Sequence, residues 1–195
     1  MTAMLMEPGP SLVQRVSLAY PRIDLEGLSW ILSQLFGKQF LLFISEEDLE
    51  ERIDGFTIVN RTLAEALAAI ILEFPHLDWK LNQQGFILYD QNHLQSDDFK
   101  EPPSLNVKAF KEARTSRVKA SLLELLLYVN SVYHRNIIAL VDGIHLKEKL
   151  ELEVLPDAPL GKLLYEIQDS GSGVGYECFE DVLYFTRGAE GSWIM

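Results

Sequence analysis

Five carboxylates fall within six consecutive positions, at Glu46, Glu47, Asp48, Glu50 and Glu51, and form the densest group of chemically capable side chains in the sequence. Acid or base catalysis near neutral pH requires a carboxyl group tuned by its surroundings. Nothing apolar nearby suggests such tuning, so the expectation is a solvated loop or an electrostatic contact with a basic partner. The opposite sign gathers at Lys108, Lys111, Arg114, Arg117 and Lys119, interrupted by Glu112. This stretch is expected either to meet the acidic loop within the chain or to bind another acidic surface. Together Glu46, Glu47, Asp48, Glu50, Glu51, Lys108, Lys111, Arg114 and Arg117 are the candidate partner contacts.

The remaining reactive groups do not assemble into a catalytic pattern. The histidines His76, His93, His134 and His145 show no i, i+4 spacing with one another or with a cysteine, so structural or solvated roles are expected. His134 falls at a helix end, where a partly charged imidazole is favourable. Cys178 is the only cysteine, which rules out an intrachain disulfide and a cysteine-based zinc site. It shares strand parity with Tyr176 and reads as a small buried core residue. Ser170-Gly-Ser-Gly-Val-Gly175 resembles a phosphate loop only in composition, because it follows a helix and enters a strand. A phosphate cradle needs the reverse order, so this is a turn. No catalytic residue, metal ligand or cofactor is expected.

The elements that position these groups recur. Asp24-Leu25 returns 97 positions later as Ser121-Leu122, Phe36 as Tyr133, and the run Phe40 to Ile44 as Ile137 to Val141. Leu63, Leu67 and Ile70 return as Leu160, Leu164 and Ile167, and apolar character and spacing are what persist. In the first copy Val16 to Tyr20 alternates as a strand. Asp24 caps a helix closed by Gly37, and Phe40 to Ile44 is a strand buried on both faces. The acidic residues 45–54 read as a polar connection. A strand at Phe56 to Val59, a helix capped by Thr62 and stopped by Pro75, and a hairpin at 77–89 complete the copy. In the second copy the first strand is either 105–109 or the residues just before Ala120, and Asp157 caps a helix opening on Pro159. The fold class is therefore α+β: two tandem β-α-β-β-α-β-β modules, each with two helices packed between small sheets. The division is an extension 1–15, modules 16–90 and 105–188, a short, polar, semi-stiff linker 91–104, and a tail 189–195.

At 195 residues with 48% hydrophobic content, the chain is long and apolar enough for two small cores. The net charge of −12 is uneven, with 5 Lys/Arg against 12 Asp/Glu over residues 16–90 and 10 against 12 over residues 105–188. Such a chain repels phosphate, so nucleic acid and anionic membranes are poor partners. No apolar run is long enough to span a membrane, and no signal peptide is visible.

The two copies resemble the secretin and TonB short N-terminal domain family. The resemblance rests on D-L-x-x-L at the first helix, N-R-T-L-A-E-A-L at residues 60–67, the strand 40–44, and the closing pair Leu77-Asp-Trp79 with Phe86 to Leu88. In the second copy it rests on residues 121–132, 157–164, Tyr176 and 182–185, with Pro159 and Leu163 departing from the family's usual Thr or Ser and Ala. It implies two small sheets sandwiching two helices, and a non-enzymatic docking or signalling role beside a protein of the bacterial envelope. The expected location is the periplasm for a mature or trimmed form, and the cytoplasm if Met1 is the true start. Sheet edges are an expected mode of contact, and a homo-oligomer is compatible with this reading. The rival is a small-ligand-binding protein or enzyme using a cleft between the modules. That requires polar groups converging from both copies, and the sequence alone supplies no such cluster.

Overall fold

Asp24, Thr62 and Ser121 each end an extended stretch and start a helix by the same chemistry. The Asp24 carboxylate accepts from Gly27 N–H at 2.8 Å. Thr62 with Glu65, and Ser121 with Glu124, close reciprocal capping boxes. The computed structural model describes residues 14–82, 84–99, 116–154 and 158–187. The resulting order is β1 (Val16–Asp24), α1 (Leu25–Phe36), β2 (Gln39–Phe43), α2 (Glu46–Glu50), β3 (Arg52–Arg61), α3 (Leu63–Glu73), β4 (Leu77–Leu81) and β5 (Gly85–Asp90). After a 3-10 turn at Ser96–Phe99 come β6 (Ser116–Ser121), α4 (Leu122–Tyr133), β7 (Asn136–Leu140), α5 (Gly143–Leu146), β8 (Lys149–Val154), α6 (Leu160–Asp169), β9 (Val174–Phe179) and β10 (Val182–Arg187).

The fold is α+β, as expected. Helices α1 and α3 lie beneath the antiparallel pair β1–β3, and α4 and α6 beneath β6–β8. Between these layers runs one six-stranded sheet in the order β4-β5-β2-β7-β10-β9. Its central strands β5, β2, β7 and β10 are parallel, and β4 and β9 are antiparallel edges. The join is the parallel pairing of Leu41, Leu42 and Phe43 with Ile137, Ile138 and Ala139. The outer pairs β1–β3 and β6–β8 are small separate sheets, but the inner strands of the two copies are not separate: a single six-stranded sheet serves both.

This join explains why β2 and β7 are apolar on both faces. Phe40, Leu42, Phe86 and Leu88 pack with α1 and α3, and Ile138 and Val182 enter that same core. On the opposite face Leu41, Phe43, Ile87 and Tyr89 pack with Ile137, Ala139, α4 and α6. Each copy therefore covers the far side of the other copy's strands. Full burial of one such side chain is worth about 1.5–3 kcal/mol, so the join is a core rather than a contact.

Several expectations need correction. The acidic stretch is not all connection: it folds into α2, and β3 starts at Arg52, well before Phe56. Gly55, at φ +72°, carries β3 past Pro21, which has no N–H to give to the ladder. The expected polar linker is packed over its described part, with Leu94 and Phe99 buried in the second core. Lys80 Nζ donates to the carbonyls of Ser96 and Phe99, and Asp98 pairs with Lys147 at 2.8 Å. The first strand of the second copy is Ser116–Ser121, while 105–109 lie outside the described residues. Pro159 is the N-cap of α6 rather than its first residue, because its ψ of 146° is still extended. Asp157 lies outside the described residues. Cys178 is exposed, not buried. Along its face of the edge strand β9, burial fades from Val174, buried, through Tyr176, half-buried, to Cys178. Gly37 and His134 both end their helices in the left-handed region, at φ +59° and +53°. Among the described residues, no helix is long and apolar enough to cross a membrane.

Candidate functional site: an acidic crevice at the switch point

The parallel neighbours β2 and β7 send their chains to opposite faces of the sheet, β2 towards the α3 side and β7 towards the α6 side. A crevice must open where the connections part, outside the carboxyl ends of the strands. It has a volume of about 510 Å³, with a floor from Phe43, Ile44, Leu140 and Val141. Ser45 and Asp142, 97 positions apart, stand on opposite sides as the N-caps of α2 and α5. Glu46, Glu47, Asp90 and His93 complete the polar lining.

Each polar wall is held by its own backbone. Asp142 Oδ1 accepts from Ile144 N–H and His145 N–H at 3.1 Å, and its carboxylate lies 2.7 Å from His145 Nδ1. The bond from His145 N–H, outweighing partial burial, holds the Asp142 carboxyl below its usual range. Asp90 accepts from Asn92 N–H at 2.8 Å and sits 3.5 Å from His93 Nε2. Gly143 is needed where α5 meets this turn: a Cβ there would stand 2.8 Å from both Cβ and O of His93. The crevice wall is therefore a close approach between α5 of the second copy and the turn that follows β5.

The sequence-predicted residues separate into three groups. Glu46 and Glu47 are exposed and line the crevice. Asp48 is not solvated: it is 5% exposed, closes the capping box with Ser45, and lies 2.7 Å from His76 Nε2. Glu50 and Glu51 are exposed but do not line the crevice. Arg117 is described as a backbone position in β6 opposite Glu153, and Lys108, Lys111 and Arg114 lie outside the described residues, as does any contact of that stretch with the acidic loop.

Asp90, His93, Ser45 and Asp142 were not singled out by the sequence as site residues. The available signal was that Ser45 and Asp142 follow the two buried strands at corresponding positions. The polar cluster from both copies, absent from the sequence reading, exists in space. Chemically the crevice suits a cation. A unit positive charge 4 Å from one carboxylate gains about 1 kcal/mol in bulk water and about 4 kcal/mol near a protein surface, and four carboxylates repel an anion to the same degree. Among the described residues, no group of three or more His, Cys, Asp or Glu is placed to hold a metal ion. Comparison of the chain with protein-family models, with curated proteins and with solved structures found no match in any of the three.

Proposed function

We propose that the chain is a non-enzymatic docking module of the bacterial envelope, of the short N-terminal domain kind, whose acidic crevice receives a lysine or arginine side chain of a partner protein. The observation that carries this reading is the convergence of Glu46, Glu47 and Asp90 with Asp142 on an apolar floor between the two copies. Ile144, 82% exposed, adjoins the crevice and gives the partner an apolar contact beside the charged one. A photoreactive residue at position 144 is expected to crosslink one discrete envelope polypeptide in cells. Glu46→Lys with Glu47→Lys, both exposed and outside the capping box, should abolish the product without lowering the amount of folded protein. Crosslinking that survives the double reversal, or that yields no discrete product, refutes this reading.

A second reading is a small cationic ligand in the same crevice, since about 510 Å³ falls within the roughly 300–1,000 Å³ of small-molecule sites. Thermal-shift titration with spermidine and with arginine methyl ester separates the two. Saturable stabilisation that the double reversal removes supports the ligand reading.

A further inference from the structure

Helices α3 and α6 occupy corresponding places, yet their outer faces differ. The positions of Glu65, Ala68, Ala69 and Leu72 on α3 are taken on α6 by Lys162, Tyr165, Glu166 and Asp169. The outer face of α6 is thus polar and filled. The outer face of α3 is apolar, and Leu72 is 80% exposed. Beside it, β3 presents Val59, 68% exposed. Together they wall a groove of about 570 Å³ whose helical side is Glu65, Ala68, Ala69 and Leu72. An apolar stripe on the outer side of a helix, bounded here by Glu65 and Glu73, is normally covered.

We infer that the cover is a second copy of this chain, joined across a two-fold axis through α3. The four helical residues of the groove are spaced i, i+3, i+4 and i+7, which is the form of a hole that accepts one knob from a facing helix. Across such an axis the small Ala68 and Ala69 let the two helices approach closely, and Leu72 of each copy is the knob that covers the Glu65 end of the other copy's groove. A surface that carries both knob and hole is self-complementary in the way an isologous dimer requires.

The charges select the orientation. Arg15 and Arg61 flank Glu65 at one end of the groove, at 3.4 and 3.3 Å, leaving that end positive by one charge. The exposed Glu73 makes the other end negative. An antiparallel crossing centred on Ala68 and Ala69 brings Glu73 of each copy towards Arg61 of the other, whereas a parallel crossing sets like charges together. The net charge of −12 per copy opposes association, but charges farther apart than about 8 Å are largely screened at physiological salt.

Sedimentation equilibrium of the full chain at physiological salt tests the inference over about 1–100 µM, the range that resolves a dimer of micromolar affinity. A dimer is expected. Leu72→Asp should weaken it about a hundredfold or more, because each Leu72 is lost twice across the axis. Tyr165→Asp, on the outer face of α6 at the position that corresponds to Ala68, should leave it intact. Glu73→Arg should weaken the dimer, and adding Arg61→Glu should restore it. In a Cys178→Ser background, Ala69→Cys is expected to give a disulfide-linked dimer on oxidation and Glu166→Cys a monomer. A monomer across the whole range, or a dimer that Leu72→Asp does not weaken, overturns the inference.

Discussion

Asp48 shows how a single residue changes meaning between sequence and space. Among five carboxylates it looks solvated, yet Ser45 three residues earlier marks a capping box, and that local signal was legible. Its pairing with His76, 28 positions away, was not, because no periodicity links a loop carboxylate to the end of α3. His76→Ala leaves a buried carboxylate short of a partner, and urea denaturation should show a loss of about 1–3 kcal/mol. Glycine offers a sharper contrast. Gly143→Ala forces a Cβ against the His93 backbone and should cost about 1–3 kcal/mol. Gly161→Ala, in α6 with open space around it, should be neutral or stabilising by up to about 1 kcal/mol. Thermal melts of the pair check both signs. Cys178 marks where residue-level parity misleads: alternation tells which face a residue points to, not how far along the strand that face stays covered.

At the scale of elements, caps and strand identities were the most legible features. Asp24, Thr62, Ser121 and Gly37 do what their types and positions imply, and His134 ends its helix at the position corresponding to Gly37. The capping boxes also make stability depend on pH. Backbone and side-chain bonds from Thr62 lower the Glu65 pKa. At Glu124 burial raises it, but the bonds from Lys149 and Ser121 outweigh that and the net shift is downward. A carboxylate with a lowered folded-state pKa contributes stability that is complete above its ordinary range and is lost as the pH falls from that range through the lowered folded-state value. Glu124→Gln should therefore flatten the acid side of the stability–pH curve while costing at most about 1 kcal/mol at neutral pH. Chemical denaturation at stepped pH reads this directly. Helices α2 and α5 were the elements missed, because five and four residues give too short a window for helical periodicity to emerge.

At the scale of the molecule, the sequence shows two strands apolar on both faces, at 40–44 and 137–141, but not what lies against their second face. A five-residue apolar run states how much must be covered and leaves the cover unnamed. Here each copy covers the other, and the crevice and its four carboxylates exist only because of that arrangement. Leu41 belongs to β2 but packs in the core of α4 and α6. Leu41→Ala is expected to destabilise the protein by about 2–5 kcal/mol within one unfolding transition shared by both copies. Hydrogen exchange should report faster opening in α4 and α6 as well as in β2, and protection that fell in residues 14–90 alone would contradict a shared core.

The parallel join also sets a timetable for the ribosome. When Phe43 has been made, its pairing partner Ala139 lies 96 residues further along the message. At about 5–20 residues per second, β2 waits roughly 5–20 s with one edge unpaired and one apolar face wet. Folding of the first copy during synthesis therefore cannot be complete, and nascent chains stalled near residue 100 should be the species that holdase chaperones retain most strongly.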